Sequence, residues 1–166
     1  MQEQDKQDEI RVHLEKIKHD GLKNYHSSGW GPKKMHNALK YLYSFTNKNK
    51  KYKVLDLGIG GANLAKYIIQ NPQFEVTGLD LVREVIDEIT SKRVNIPLIC
   101  GDAEKMPFKD ETFDIIIHNQ TVHHFPDTTL VLKEINRVLK KDGLLMSIET
   151  NGWNPIVWYG HNMPWN

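Results

Sequence analysis

Val54-Leu55-Asp56-Leu57-Gly58-Ile59-Gly60-Gly61-Ala62-Asn63 is the stretch from which the fold of this 166-residue chain is read. Three apolar residues around one aspartate suit a strand, and the glycines break it. Leu64, Ala65, Ile68 and Ile69 then recur at helical spacing. Gly58 and Gly60 allow backbone dihedrals that a Cβ disfavours and let a ligand come close. The amides that open the helix favour an electron-rich group. The dinucleotide fingerprint G-x-G-x-x-G fails here, because its last glycine would fall at Asn63. Asp56, two residues before the first glycine, would repel a pyrophosphate but not an amino group or a sulfonium.

Outward from this turn, short apolar runs alternate with helical patterns. The expected strands are 52–57, 74–80, 96–100, 113–118 and 144–149, with helices at 83–92 and 128–140, the latter ended by Gly143. The unbroken Ile115-Ile116-Ile117 suggests a strand covered on both faces. Such alternation implies an α/β fold with a doubly wound, mostly parallel sheet. Ligands bind there beyond the carboxyl ends of the strands, near the point where strand order reverses. The polar and glycine residues cluster at those ends.

Before residue 51 the chain reads differently. Ile10, Leu14 and Ile17 form a helical stripe that Gly21 stops, and residues 27–32 are a breaker-rich loop. Met35, Leu39, Leu42, Tyr43 and Phe45 supply the apolar face of a second helix. Residues 1–50 are therefore expected to form a helical cap or lid, and 51–166 a single ligand-binding core. Between residues 21 and 53 there are eight lysines and no acidic residue. That segment is either a solvated helix and linker or a patch for an acidic partner. No aromatic-basic stacking motif points to nucleic acid. With 39% apolar and 26% charged residues the composition is that of an ordinary globular domain. One cysteine, no membrane-length apolar run and no signal-peptide core at residues 1–9 suggest a reducing, cytoplasmic setting.

The motif around Asp56, Gly58 and Gly60 resembles that of the class I S-adenosylmethionine-dependent methyltransferases, in particular the small-molecule group that includes the quinone-biosynthesis enzymes. The resemblance runs from about Val54 to Glu149 and implies a Rossmann-like core of strand order 3-2-1-4-5. The family's usual third glycine falls at Ala62. Asp80, 24 residues after Asp56, matches the acidic residue that holds the cofactor ribose. In 101–108, Asp102 matches the residue that meets the adenine amino group, and Ala103 its neighbour on the ring. Asp56, Gly58, Gly60, Asn63, Asp80, Leu81, Asp102, Ala103 and Asn119 are thus the implied contacts for S-adenosylmethionine and its product S-adenosylhomocysteine. Singly, Asp80 and Asp102 could equally cap loops, and Asp114 is expected to be structural.

His123 and His124 follow the fourth strand, where the family commonly carries a histidine pair. One could serve as general base toward a small-molecule methyl acceptor, or the pair could cap backbone and face solvent. A metal site from the pair and His118 lacks a supporting carboxylate pattern. The function implied is methyl transfer to an oxygen, nitrogen or carbon atom. The rivals are a non-catalytic S-adenosylmethionine-binding module and a nicotinamide-dependent oxidoreductase. Family members continue beyond strand five with further strands, whereas this chain reaches Asn166. The apolar edge of strand five is therefore expected to be covered by the tail that carries Trp153, Trp158 and Trp165, or by a second copy in a homodimer.

Overall fold

The structure, a computed structural model, describes residues 32–125 and 127–148, the backbone of Ile156–Tyr159, and single helical positions between 4 and 15. Gly21, the loop before Pro32, Trp153 and Trp165 lie outside the described residues, as does the side chain of Trp158. The elements are α1 (Pro32–Ser44), β1 (Tyr52–Leu57), α2 (Ala65–Ile68), β2 (Phe74–Asp80), α3 (Arg83–Ser91), β3 (Leu98–Cys100), β4 (Phe113–Asn119), α4 (Thr129–Val138), β5 (Leu139–Ile148) and β6 (Ile156–Tyr159). One six-stranded sheet runs β3-β2-β1-β4-β5-β6. The first five strands are parallel, and β6 pairs antiparallel with β5. The expected 3-2-1-4-5 order is therefore present, with strand order reversing between β1 and β4.

The period-two alternation of a strand decides which helix covers which face. Val54, Ile115 and Ile117 pack with Met35, Ala38 and Leu42 of α1 and Val85, Ile86 and Ile89 of α3. Leu55, Leu57 and Ile116 point the other way and pack with Val131, Ile135 and Val138 of α4. β4 is covered on both faces, as its continuous apolar run implies, with Ile115, Ile116 and Ile117 all buried. On α1 the inward stripe includes Ala38, while Phe45 is exposed and Tyr43 lies flat against Phe74 at 5.9 Å.

Two readings of the C-terminal half change. The last helix stops at Val138 rather than at Gly143, because Leu139 is already extended and pairs with Phe113. The next pairing is Ile115 with Leu144, so two steps along β4 face five along β5. Residues 140–143 bulge out of the ladder, and a Cβ on Gly143 would fall 2.5 Å from the Leu139 side chain. The second change is β6, a strand the sequence pattern did not place. Its pairing from Leu144↔Tyr159 to Ser147↔Ile156 covers the edge of strand five with the chain's own tail.

At the amino end of the sheet Asp114 acts as a structural staple. Its carboxylate accepts the Lys53 amide at 3.0 Å and pairs with Lys50 Nζ at 3.2 Å and Lys140 Nζ at 3.0 Å. Burial alone would push this carboxyl up, but the Lys53 amide and the two ammonium groups hold it below its ordinary value. Lys50 of the basic segment is used here, and Lys33, Lys40, Lys48, Lys51 and Lys53 are exposed. A depressed carboxyl contributes stability above its unfolded pKa and loses it as acid protonates the folded form. Asp114→Ala is expected to lower stability by about 2 kcal/mol at neutral pH. In denaturant titrations the gap to the wild type should close as pH falls below 4.

Candidate functional site

The turn after β1 is built from residues in the left-handed region: Gly58 at φ +67°, Gly60 at +50° and Ala62 at +56°. Ala62 therefore adopts the conformation for which the family pattern uses a glycine, and the loop keeps that shape. A non-glycine residue there costs roughly 1–2 kcal/mol, and the burial of its methyl group among Leu64, Ala65 and Ile68 offsets part of this. The turn hangs from the carboxyl end of β2. Gly58 and Ile59 both donate their amides to the Leu79 carbonyl, at 2.8 and 3.0 Å. Asp80 then accepts Gly60 N on Oδ2 and Val82 N on Oδ1, each at 3.0 Å. The loop-capping and ligand-binding readings of Asp80 are compatible, since each carboxylate oxygen has a second lone pair.

Thr121 was not singled out in the sequence, yet it fits the turn to the neighbouring strand. Its hydroxyl donates to the carbonyls of Leu57 at 3.1 Å and Asn119 at 3.2 Å. A Cβ on Gly58 would lie 2.4 Å from that hydroxyl oxygen and 2.5 Å from the Thr121 methyl. Gly58 is thus required twice, by its positive φ and by the approach of β4. Gly58→Ala is expected to destabilise by about 2–3 kcal/mol, from strain and overpacking together. Thr121→Ala should recover part of that loss. Strict additivity in a double-mutant cycle would contradict the contact.

Asp56 is only 3% exposed. Burial first, and the charge of nearby Asp80 second, push its carboxyl up to about 7, against a lowering contribution from the Ala65 amide. Among the described residues no cationic side chain pairs with it. Because its folded pKa is raised, the folded state holds a proton that the unfolded chain has released. Stability from this group is therefore complete at low pH and falls between about pH 4 and 7, by roughly 1.4 kcal/mol per unit. Asp56→Asn should flatten that slope and make the ligand-free protein more stable than the wild type at pH 8. Parallel stability–pH curves would contradict the buried charge.

The remaining candidates stand on the same rim. Leu81 follows β2, and its carbonyl accepts Cys100 Sγ at 3.5 Å, which ties the ends of β2 and β3. Asp102 accepts the Glu104 amide at 2.8 Å, while Ala103 is buried in the α4-side core, so its methyl group serves packing. Asn63 lies in the β1 turn and Asn119 ends β4, both half-buried. Val122–His124 form a 3-10 turn just beyond Asn119, with His124 exposed and the His123 side chain outside the described residues. His118 is buried within β4, between Leu57 and Ser147 on the flanking strands. The structure thus brings Asp56, Gly58, Gly60, Asp80, Leu81, Asp102 and Asn119 to one rim, at the carboxyl ends of β1 to β4.

A parallel sheet of order 3-2-1-4-5 with a glycine turn at its switch point defines a Rossmann-like fold. The chain belongs to the methyltransferase-domain family, whose model matches residues 55–147. Demethylmenaquinone methyltransferase of Staphylococcus aureus (strain JH9) is 36% identical over 104 residues, or 60% of this chain and 43% of that protein. The chain therefore spans less than half the length of the curated relatives it matches. The YcgJ protein of Bacillus subtilis is 31% identical, with a TM-score of 0.59 over 69% of this chain and 50% of that one. A SAM-dependent methyltransferase from Aquifex aeolicus shares the fold at 22% identity, with a TM-score of 0.60 over 76% of this chain and 79% of that one.

Proposed function

We propose that the chain binds S-adenosylmethionine and transfers its methyl group to a small molecule. The observation that carries this reading is the Asp56–Asp80 pair framing the glycine turn. A buried carboxyl raised to about 7 and, among the described residues, without a cationic partner suits an ammonium-bearing ligand and disfavours a pyrophosphate. When bound, S-adenosylmethionine supplies a methyl carried on a cationic sulfur. Asp56 accepts from the amino group, Asp80 from the ribose hydroxyls and Asp102 from the adenine amino group. Leu81 packs beside the base, and the turn holding Asn63 and the exit holding Asn119 complete the walls. His123 or His124 takes the proton that the acceptor loses. Alignment and water exclusion carry most of the rate, because the displacement itself needs little else. The likeness to demethylmenaquinone methyltransferase supports a demethylmenaquinone-like acceptor as the first to test.

S-adenosylhomocysteine at about 100 times its Kd should stabilise the protein by about 2.7 kcal/mol, and NAD should not. Asp80→Ala should weaken that binding by about 2–4 kcal/mol, and Asp114→Ala should leave it unchanged. Equal stabilisation by NAD would overturn the cofactor assignment. Transfer of labelled methyl to demethylmenaquinone tests the acceptor. Tight cofactor binding with no transfer to any acceptor would reduce the chain to a cofactor-binding module.

A further inference from the structure

The 12-residue connection between β3 and β4, residues 101–112, contains no helix or strand, yet it carries Asp102 and Ala103. What fixes it comes from α4, on the face of the sheet opposite α1 and α3. Arg137 and Glu134 lie one helical turn apart. The guanidinium donates Nε to Glu134 Oε1 and Nη2 to Glu134 Oε2, both at 2.7 Å. Nη2 also donates to the Met106 carbonyl at 3.0 Å, and Nη1 donates to the Phe108 carbonyl and to Asp110 Oδ1 at 2.8 Å each. All five N–H donors of the side chain are used.

Glu134 completes the clamp, its Oε2 accepting the Met106 amide at 2.7 Å. The Arg137 carbonyl accepts the Glu111 amide at 2.9 Å. The connection is therefore tied at Met106, Phe108, Asp110 and Glu111 to one residue pair. From Met106 the order passes back through the turn in which Glu104 N and Lys105 N bond to Asp102 Oδ1 and Asp102 O, at 2.8 and 3.2 Å. Glu134 and Arg137 have side chains only 17% and 32% exposed, whereas Asp110 is 76% exposed. The exposed pair with Asp110 contributes little. The two carbonyls and the Met106 amide are backbone groups that would otherwise need other partners.

We infer that Glu134 and Arg137 are positioning residues that hold Asp102 and Ala103 where the cofactor base is read, so that a clamp on the far side of the loop sets base specificity. This rests on the cofactor reading above. A clamp that only stabilised the fold would weaken all ligands alike. A positioning clamp changes the preference for a 6-amino base over a 6-oxo base.

The experiment compares the Kd of S-adenosylhomocysteine with that of S-inosylhomocysteine, for the full chain and two variants, with thermal stability measured alongside. The wild type is expected to prefer the adenosyl ligand by on the order of 10-fold or more, the size of one hydrogen bond. Arg137→Leu should cut that preference several-fold, chiefly by weakening the adenosyl ligand. The near-isosteric Glu134→Gln should do so to a smaller extent, and it decides the matter if Arg137→Leu does not fold. Lowered stability with an unchanged preference in the folded variants would overturn the inference. So would a wild type that binds both ligands equally, with the cofactor reading intact. A wild type that binds neither would overturn the cofactor reading, and the inference with it.

Discussion

Two carboxylates at the ends of adjacent parallel strands are the constraint around which the rest of this rim is arranged. Asp56 on β1 is removed from water and lies within the field of Asp80 at the end of β2. A carboxylate at 56 is not required by the sheet, whose neighbouring positions there are the buried apolar Leu55 and Leu57. The fold bears the cost, and it distributes the two charges differently. Asp80 is braced by two backbone amides, whereas Asp56 is left to hold a proton near neutrality. A buried carboxyl raised by burial and by a neighbouring carboxylate, at the rim of a sheet, is characteristic of a functional site.

The loops around that pair have little regular structure of their own, and each is tied to something rigid. Asp80 and the Leu79 carbonyl hold the β1 turn to β2, Thr121 fits it to β4, and Arg137 with Glu134 holds the β3–β4 connection to α4. Positive φ at Ala62 in the first turn, and at Gln120 beyond β4, is the local strain that such ties sustain. In the proposed role these ties hold three contact groups in place before any ligand arrives, and fixed geometry lowers the entropic cost of binding.

How much of this could be read from the residues follows from what each feature depends on. The strands were legible because each is a short apolar run between breakers, and β4 carried its burial on both faces in three consecutive isoleucines. Asp56, Asp80 and the glycines were legible because they mark the carboxyl ends of strands and the turn that follows. Thr121 was not, since its importance lies in contact with Gly58, 63 residues away in sequence. Arg137 falls on an ordinary amphipathic helix, and nothing local reveals that its donors reach back to Met106 and Phe108. The boundary at Val138 depends on pairing with Phe113, and β6 depends on pairing with β5. Both are tertiary events that periodicity does not encode.

The strand order found here also occurs in dinucleotide-binding sheets, so the order alone does not select a ligand. In the proposed role, selection comes from charge. A pyrophosphate brought to the Gly58 turn in that role would face Asp56. At an effective dielectric of about 20, two unit charges 4 Å apart repel by about 4 kcal/mol. Protonating Asp56 would relieve that repulsion near pH 7, at a cost that grows as pH rises above that value. An ammonium group meets the opposite situation. It gains from Asp56 in its ionised form and displaces the proton that burial had retained, so the instability of the empty site becomes affinity for a cation. In the proposed role Asp56 alone therefore carries the discrimination, since a carboxylate at the end of the second strand suits a ribose in either cofactor class.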